Sequence, residues 1–317
     1  MRNTVVSVIA VSCFAALASS AVHAVAPSPD GEDDELAPTG KGWGHRLENG
    51  NGDNGRARAG RTKGGGANGI SYHGGPVMLP NKLGAPNVYY IWYGNWSGNT
   101  ATSILTDLVN NIGGSPYFDI NTTYYNGSGQ HVANAVQYKG STNDNYSHGT
   151  SLGDATVQAV VASAISSGKL PLDSNGVYFV LTSADVNENS GFCTQYCGWH
   201  THGTITGTDI KFAFVGNPDR CPSACAAQTV GPNGNAGADG MASIVSHELE
   251  ESITDPDLNA WYDGRGQENA DKCAWTFGTT SQAANGAVYN MTLGSRPFLI
   301  QQNWVNASGG YCAKSYP

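Results

Sequence analysis

The chain has 317 residues, 16 Lys and Arg against 25 Asp and Glu, and a formal net charge of −9. Phosphate recognition needs clustered basic side chains, so this balance speaks against a nucleic-acid partner. Beyond an N-terminal apolar run, no segment approaches the ~20 apolar residues that a membrane-crossing helix takes, so no membrane span is expected in the mature part.

That N-terminal run has the form of a secretory signal. Arg2 precedes an apolar stretch from Val5 to Ala18, and Val22-His23-Ala24 fits a small-x-small cleavage site. The expectation is a signal peptide over residues 1–24, with a cut after Ala26 nearly as good, and a secreted, extracellular product. Residues 25–68 carry an acidic run, Asp30 to Glu35, and a basic one, Arg56 to Lys63, with few apolar residues between. Such a composition buries too little surface to offset ordering entropy, and reads as a disordered leader or propeptide.

Residues 69–317 read as one globular domain. Val88 to Tyr93 is β-branched and aromatic, a buried strand, with Tyr89, Tyr90, Trp92 and Tyr93 as core or groove wall. Thr102 to Ile112 has helical apolar spacing. His131 to Tyr138 reads as a strand. Asp154 is placed to cap a helix that ends at Gly168. Val177 to Thr182 and Ile210 to Val215 are further strands. Asp239 is placed to cap a helix from Gly240 to about Thr254, stopped by Pro256. A late strand is expected at Phe298 to Gln302. Strands alternating with helices predict an α/β (α+β) fold: a single layered domain, a mixed sheet flanked by helices.

Cys13 leaves with the signal, and six cysteines remain: Cys193, Cys197, Cys221, Cys225, Cys273 and Cys312. An even count in a secreted chain predicts a disulfide-stapled domain. The close pairs Cys193/Cys197 and Cys221/Cys225, with Cys273/Cys312 left over, form the preferred pairing among the connectivities that six cysteines allow.

The stretch that carries chemistry is His247-Glu248-Leu249-Glu250-Glu251. On a helix, His247 and Glu251 lie one turn apart on the same face. Met241, Val245 and Leu249 fall roughly opposite and can pack inward. Glu248 is rotated by about 100° to the flank. This is the zincin-like geometry of the His-Glu-x-x-His helix, with Glu in place of the second His. Zinc accepts carboxylate oxygen as well as imidazole nitrogen, although a carboxylate-rich set also suits manganese or calcium. Glu248 is the candidate general base. A third ligand is expected downstream at Glu268, with Asp271 steadying the site, by analogy of spacing with thermolysin-type enzymes. His200 and His202 are competing ligands, because His-x-His on a strand puts both rings on one face. Glu250 and Asp257 are expected to be solvated.

Several blocks occur together in order: Ser71 to Pro76, Asn87 to Trp96, Gly176 to Val186, Phe192-Cys193, Cys197 to His200, Phe214 to Asn217, Cys221 to Cys225, His247 to Glu251, Asn259 to Tyr262, Glu268 to Cys273, and Phe298 to Gln301 before Trp304. This series resembles the EXORDIUM, or phosphate-induced protein 1, family from about Tyr72 to Cys312. The resemblance implies an extracellular or cell-wall protein, associated in plants with growth and with responses to carbon or phosphate status. It supplies no biochemical activity. The family's His-Glu-Leu-Ala-Glu and Glu-Ile-Ala-Asp patterns fall on His247, Glu248, Glu251, Glu268 and Asp271, with Glu250 in place of Ala and Asn269 in place of Ile.

The combined expectation is a secreted, EXORDIUM-like metalloprotein acting as a zinc-dependent, peptidase-like hydrolase. His247, Glu251 and Glu268 would hold Zn2+ or another divalent metal. The competing expectation is a non-enzymatic growth or cell-wall interaction protein, with a structural acidic helix and aromatics lining a groove for an extracellular peptide or glycan.

Overall fold

The computed structural model describes residues 37–41, 69–81 and 84–317. The expected signal peptide and most of the expected leader lie outside the described residues.

Five strands form the central sheet: β1 (Asn87–Tyr93), β2 (Gln137–Asp144), β3 (Gly176–Thr182), β4 (Gly198–Ile205) and β5 (Thr208–Val215). Their order is β2-β1-β3-β5-β4. The first four strands in that order run parallel, and β4 runs antiparallel to β5 at the edge. β1 and β3 are buried along their whole length. That is why they read as unbroken apolar runs: strands in the middle of a parallel sheet are covered on both faces.

The helices α1 (Ala101–Ile112) and α2 (Asp154–Ser166) are the crossovers β1–α1–β2 and β2–α2–β3. β2 and β3 lie on opposite sides of β1, so right-handed crossovers put α1 and α2 on opposite faces. α1 buries Ile104, Leu105, Leu108, Val109 and Ile112 on one stripe. α3 (Ala236–Thr254) packs beside α1 and against β4 and β5. It is buried on nearly every side, including Glu250, which is 0% exposed.

Several sequence expectations are corrected. The strand expected at His131–Tyr138 shares only Gln137 and Tyr138 with β2, which continues to Asp144. β2 pairs on one side only and alternates exposed and half-buried residues, so it has no apolar signature. Asp154 is the first helical residue of α2 and follows the cap Gly153. α3 begins earlier than expected, capped by the Asn235 side chain, which accepts from the Ala238 amide. The single late strand is two hairpin strands, β7 and β8. β6 (Met291–Leu293) pairs with β7 (Arg296–Phe298), and β8 (Asn303–Val305) pairs with β9 (Tyr311–Ala313). Leu299 to Gln302 is the buried connection between β7 and β8, and it carries Gln301 against α3. Glu250 is not solvated. The C-terminal segment covers that face of α3, and the Asn303 side-chain amide donates to its Oε2.

The disulfides are Cys193–Cys221, Cys197–Cys225 and Cys273–Cys312. The last is as expected, and the two close pairs are not. A single helical turn, Pro222–Cys225, puts residues 221 and 225 on one face, toward the loop that carries residues 193 and 197. Each cysteine therefore reaches across, and both bridges span 28 residues.

Residues 37–41, from the expected leader, lie on the open edge of the sheet. The His200 amide donates to the Gly40 carbonyl at 3.0 Å. Gly40 has φ +67°, and a Cβ there would sit 1.9 Å from the His200 carbonyl oxygen, so only glycine fits. Lys41 Nζ lies 2.6 Å from Asp154 Oδ2 and over the Tyr196 and Trp199 rings.

Candidate metal centre

His247 and Glu251 lie one turn apart on α3, with His247 Nε2 3.0 Å from Glu251 Oε1. Asp271 stands on the other side of the imidazole, its Oδ1 3.3 Å from the same nitrogen. A short turn sets Asp271 there: its own amide donates to Glu251 Oε1 at 3.1 Å, and the Glu268 amide donates to Asp271 Oδ2 at 3.3 Å. Glu268 faces the other imidazole. Its two oxygens lie 3.1 and 3.2 Å from His200 Nε2. The second oxygen of Glu251 is 3.6 Å from that same nitrogen.

The donors therefore form two sets, His247/Glu251/Asp271 and His200/Glu251/Glu268, each with its atoms within 4.8 Å of one another. Glu268, expected beside His247, belongs with His200, and Asp271 takes the place beside His247. His200 is in the centre. His202 is outside it, on the surface beside Asp209 and Asp257, where the Lys211 ammonium bonds both carboxylates.

The centre is closed. His247 and Glu251 are 0% exposed, His200, Glu248 and Glu268 1%, and Asp271 5%. Two surface depressions, of about 400 and 630 Å3, lie against α2 and around the Cys193 loop, and neither is lined by a residue of the centre. The ion pairs described for these carboxylates are with the two imidazoles. Neither oxygen of Glu248 has a hydrogen-bond partner among the described residues, nor has Glu251 Oε2 or Asp271 Oδ1.

Burial controls the proton affinities. It raises Glu248 and Glu268 well above the usual carboxylate range, and neighbouring carboxylates push the same way. Burial and the Asp271 charge push Glu251 up to about 7. Burial lowers His200 to about 3. Burial also pulls on His247, but Glu251 and Asp271 outweigh it and hold that imidazole well above its ordinary value.

Ligand atoms around tetrahedral zinc with bonds of 2.0–2.2 Å lie about 3.3–3.6 Å apart. The Asp271–His247 and Glu251–His200 separations, 3.3 and 3.6 Å, fall in that range, and the Glu251–His247 and Glu268–His200 separations, 3.0 and 3.1 Å, are at hydrogen-bond length. An uncompensated buried carboxylate is expensive unless it is paired or ligates a metal.

Neither Gln301 nor Asn303 carries a motif that marks it as a partner of the centre. Gln301 places its side-chain amide 2.8 Å from His247 Nδ1 and donates to the Ala270 carbonyl at 3.0 Å. Its one signal was its place in the ordered block from Phe298 to Gln301.

Fold and centre together define a disulfide-bonded α/β protein built round a buried cluster of two histidines and four carboxylates. Residues 70–313 match the family model described as phosphate-induced protein 1 conserved region. EXORDIUM-like 5 of Arabidopsis thaliana is 33% identical over 276 residues, 74% of this chain and 75% of that protein. EXORDIUM-like 3 of the same plant is 34% identical over 283 residues, 77% of this chain and 82% of that protein. PHOSPHATE-INDUCED 1 of Nicotiana tabacum is 28% identical over 231 residues, 62% and 67% of the two chains. The chain belongs to the EXORDIUM/phosphate-induced protein 1 family. No solved structure matches it.

Proposed function

We propose that this protein is a secreted metalloprotein of the extracellular space or cell wall, in which His247, Glu251 and Asp271 hold a divalent cation, zinc in the first place. One observation carries this reading: buried carboxylates gather around an imidazole with no Lys or Arg among their described ion-pair partners. An imidazole with carboxylate oxygens is a donor set that zinc accepts. Three disulfides and the family membership support the secreted location. Among the described residues, no helix is long and apolar enough to cross a membrane. The test is metal analysis of untagged protein, before and after zinc is supplied. Close to one or more equivalents per chain supports the reading, and no bound metal in either sample overturns it.

A second reading, hydrolysis of an extracellular peptide or glycan, is favoured by Glu248. Its carboxylate is buried next to His247 and free of hydrogen bonds among the described residues, as a general base awaiting a water would be. A bound cation would supply Lewis acidity, and Glu248 would take the proton from the attacking water. Turnover would require the closed centre to open, so the burial of every donor weighs for cation holding over hydrolysis. Glu248→Gln separates the two: a hydrolase loses turnover and keeps its metal, whereas a binding protein keeps its interactions.

A further inference from the structure

The Glu251 carboxylate divides its two oxygens between two imidazoles. Oε1 faces His247 at 3.0 Å and Oε2 faces His200 at 3.6 Å. Each imidazole has one more carboxylate of its own, Asp271 for His247 and Glu268 for His200. We infer that the centre holds two divalent cations bridged by Glu251: one at His247/Asp271, and a second at His200/Glu268. The inference rests on the metalloprotein reading above and adds a second cation to it.

Three observations carry it. First, neither donor set contains both imidazoles: the ligand atoms cluster as two triads that share Glu251. A single ion with bonds near 2 Å draws all its ligand atoms within about 4 Å of one another, and one cluster would be expected. Second, a carboxylate that offers one oxygen to each of two ions holds them at the ~3.5–4 Å separation of two-metal sites. Third, the interior is acidic: Glu248, Glu250, Glu251, Glu268 and Asp271 are all buried, the two imidazoles bind metals as neutral rings, and a second divalent cation offsets two more negative charges than one does. Glu248 is the independent sign that the site is incomplete as a hydrogen-bonded cluster. It is 1% exposed with both oxygens unpartnered among the described residues, beside the same helical turn.

The three elements that bring the second triad together explain why the helix motif alone did not reveal it. His200 comes from the edge strand β4, Glu251 from α3, and Glu268 from the loop after it.

The experiment is metal titration of the full, untagged secreted protein, stripped with a chelator and then supplied with Zn2+ or Mn2+ alone. Two equivalents per chain are expected by elemental analysis. The Mn2+ form should show the exchange-coupled resonance of two neighbouring ions in place of an isolated six-line spectrum. His200→Ala should fall from two equivalents to one. One equivalent in the wild type with an isolated Mn2+ spectrum overturns the second cation and leaves the metalloprotein reading standing. No bound metal overturns both. The wild-type stoichiometry and spectrum decide the matter even if the variant does not fold.

Discussion

The side-chain amide of Gln301 lies 2.8 Å from Nδ1 of His247, across the ring from the nitrogen that faces Glu251 and Asp271. An outer partner of this kind fixes the orientation and tautomer of a ligating imidazole, and its loss typically weakens metal binding by about 10–100-fold. Gln301→Leu is therefore expected to keep the fold and lose cation affinity by that factor, measured by competition with a chromophoric chelator. Unchanged affinity would mean that the ring is held by packing alone.

Stability in the absence of cation should fall as pH rises above 6.5. Glu248, Glu251 and Glu268 have folded-state values above their ordinary ones, so the folded chain holds protons that the unfolded chain has released. His247, also raised, loses its contribution in the same direction as pH rises through its folded value. His200, lowered to about 3, acts oppositely only below its ordinary range. Each such proton gives a slope of about 1.4 kcal/mol per pH unit, or roughly 2–4 °C in Tm. Thermal melts at pH 6.5 and 8.5, with and without zinc, check this. Zinc should remove most of the fall, because cation and proton compete for the same donors.

The three disulfides should differ in what they protect. Cys273 follows Asp271 closely and is tied to Cys312 on β9. Cys273→Ser with Cys312→Ser is expected to lower stability by about 2–4 kcal/mol and to weaken cation binding, since Glu268 and Asp271 lose their anchor. Removing Cys193–Cys221 should lower stability with little change in cation affinity. Denaturant melts and chelator competition on both double variants separate the effects.

The strap at residues 37–41 should be visible at a single amide. Lys41→Ala removes the contacts to Asp154, Tyr196 and Trp199, worth about 1 kcal/mol. Hydrogen exchange at the His200 amide, which donates to Gly40, should speed up about 5-fold. Gly40→Val should abolish that protection, because no side chain fits against the His200 carbonyl.

Elements whose burial is complete or follows one stripe could be read in advance: β1, β3, α1, and the pairing of His247 with Glu251. Edge strand β2 could not, since one half-exposed face gives no apolar period. The solvated reading of Glu250 failed because α3 looked amphipathic only on the premise that one face meets water. In the folded chain, the segment from Leu299 to Val305 occupies that face. The division of donors between His247 and His200 depends on where β4 docks against α3, a relationship that no spacing along the chain encodes.

The order of synthesis puts a delay into the assembly of this interior. α3, with its acids, leaves the ribosome well before the residues that enclose it, Gln301, Asn303 and Cys312. At ~5–20 residues per second, seconds pass before Gln301 and Asn303 follow α3 out. Until they do, His247 and Glu250 lack the amide partners that meet them in the finished interior.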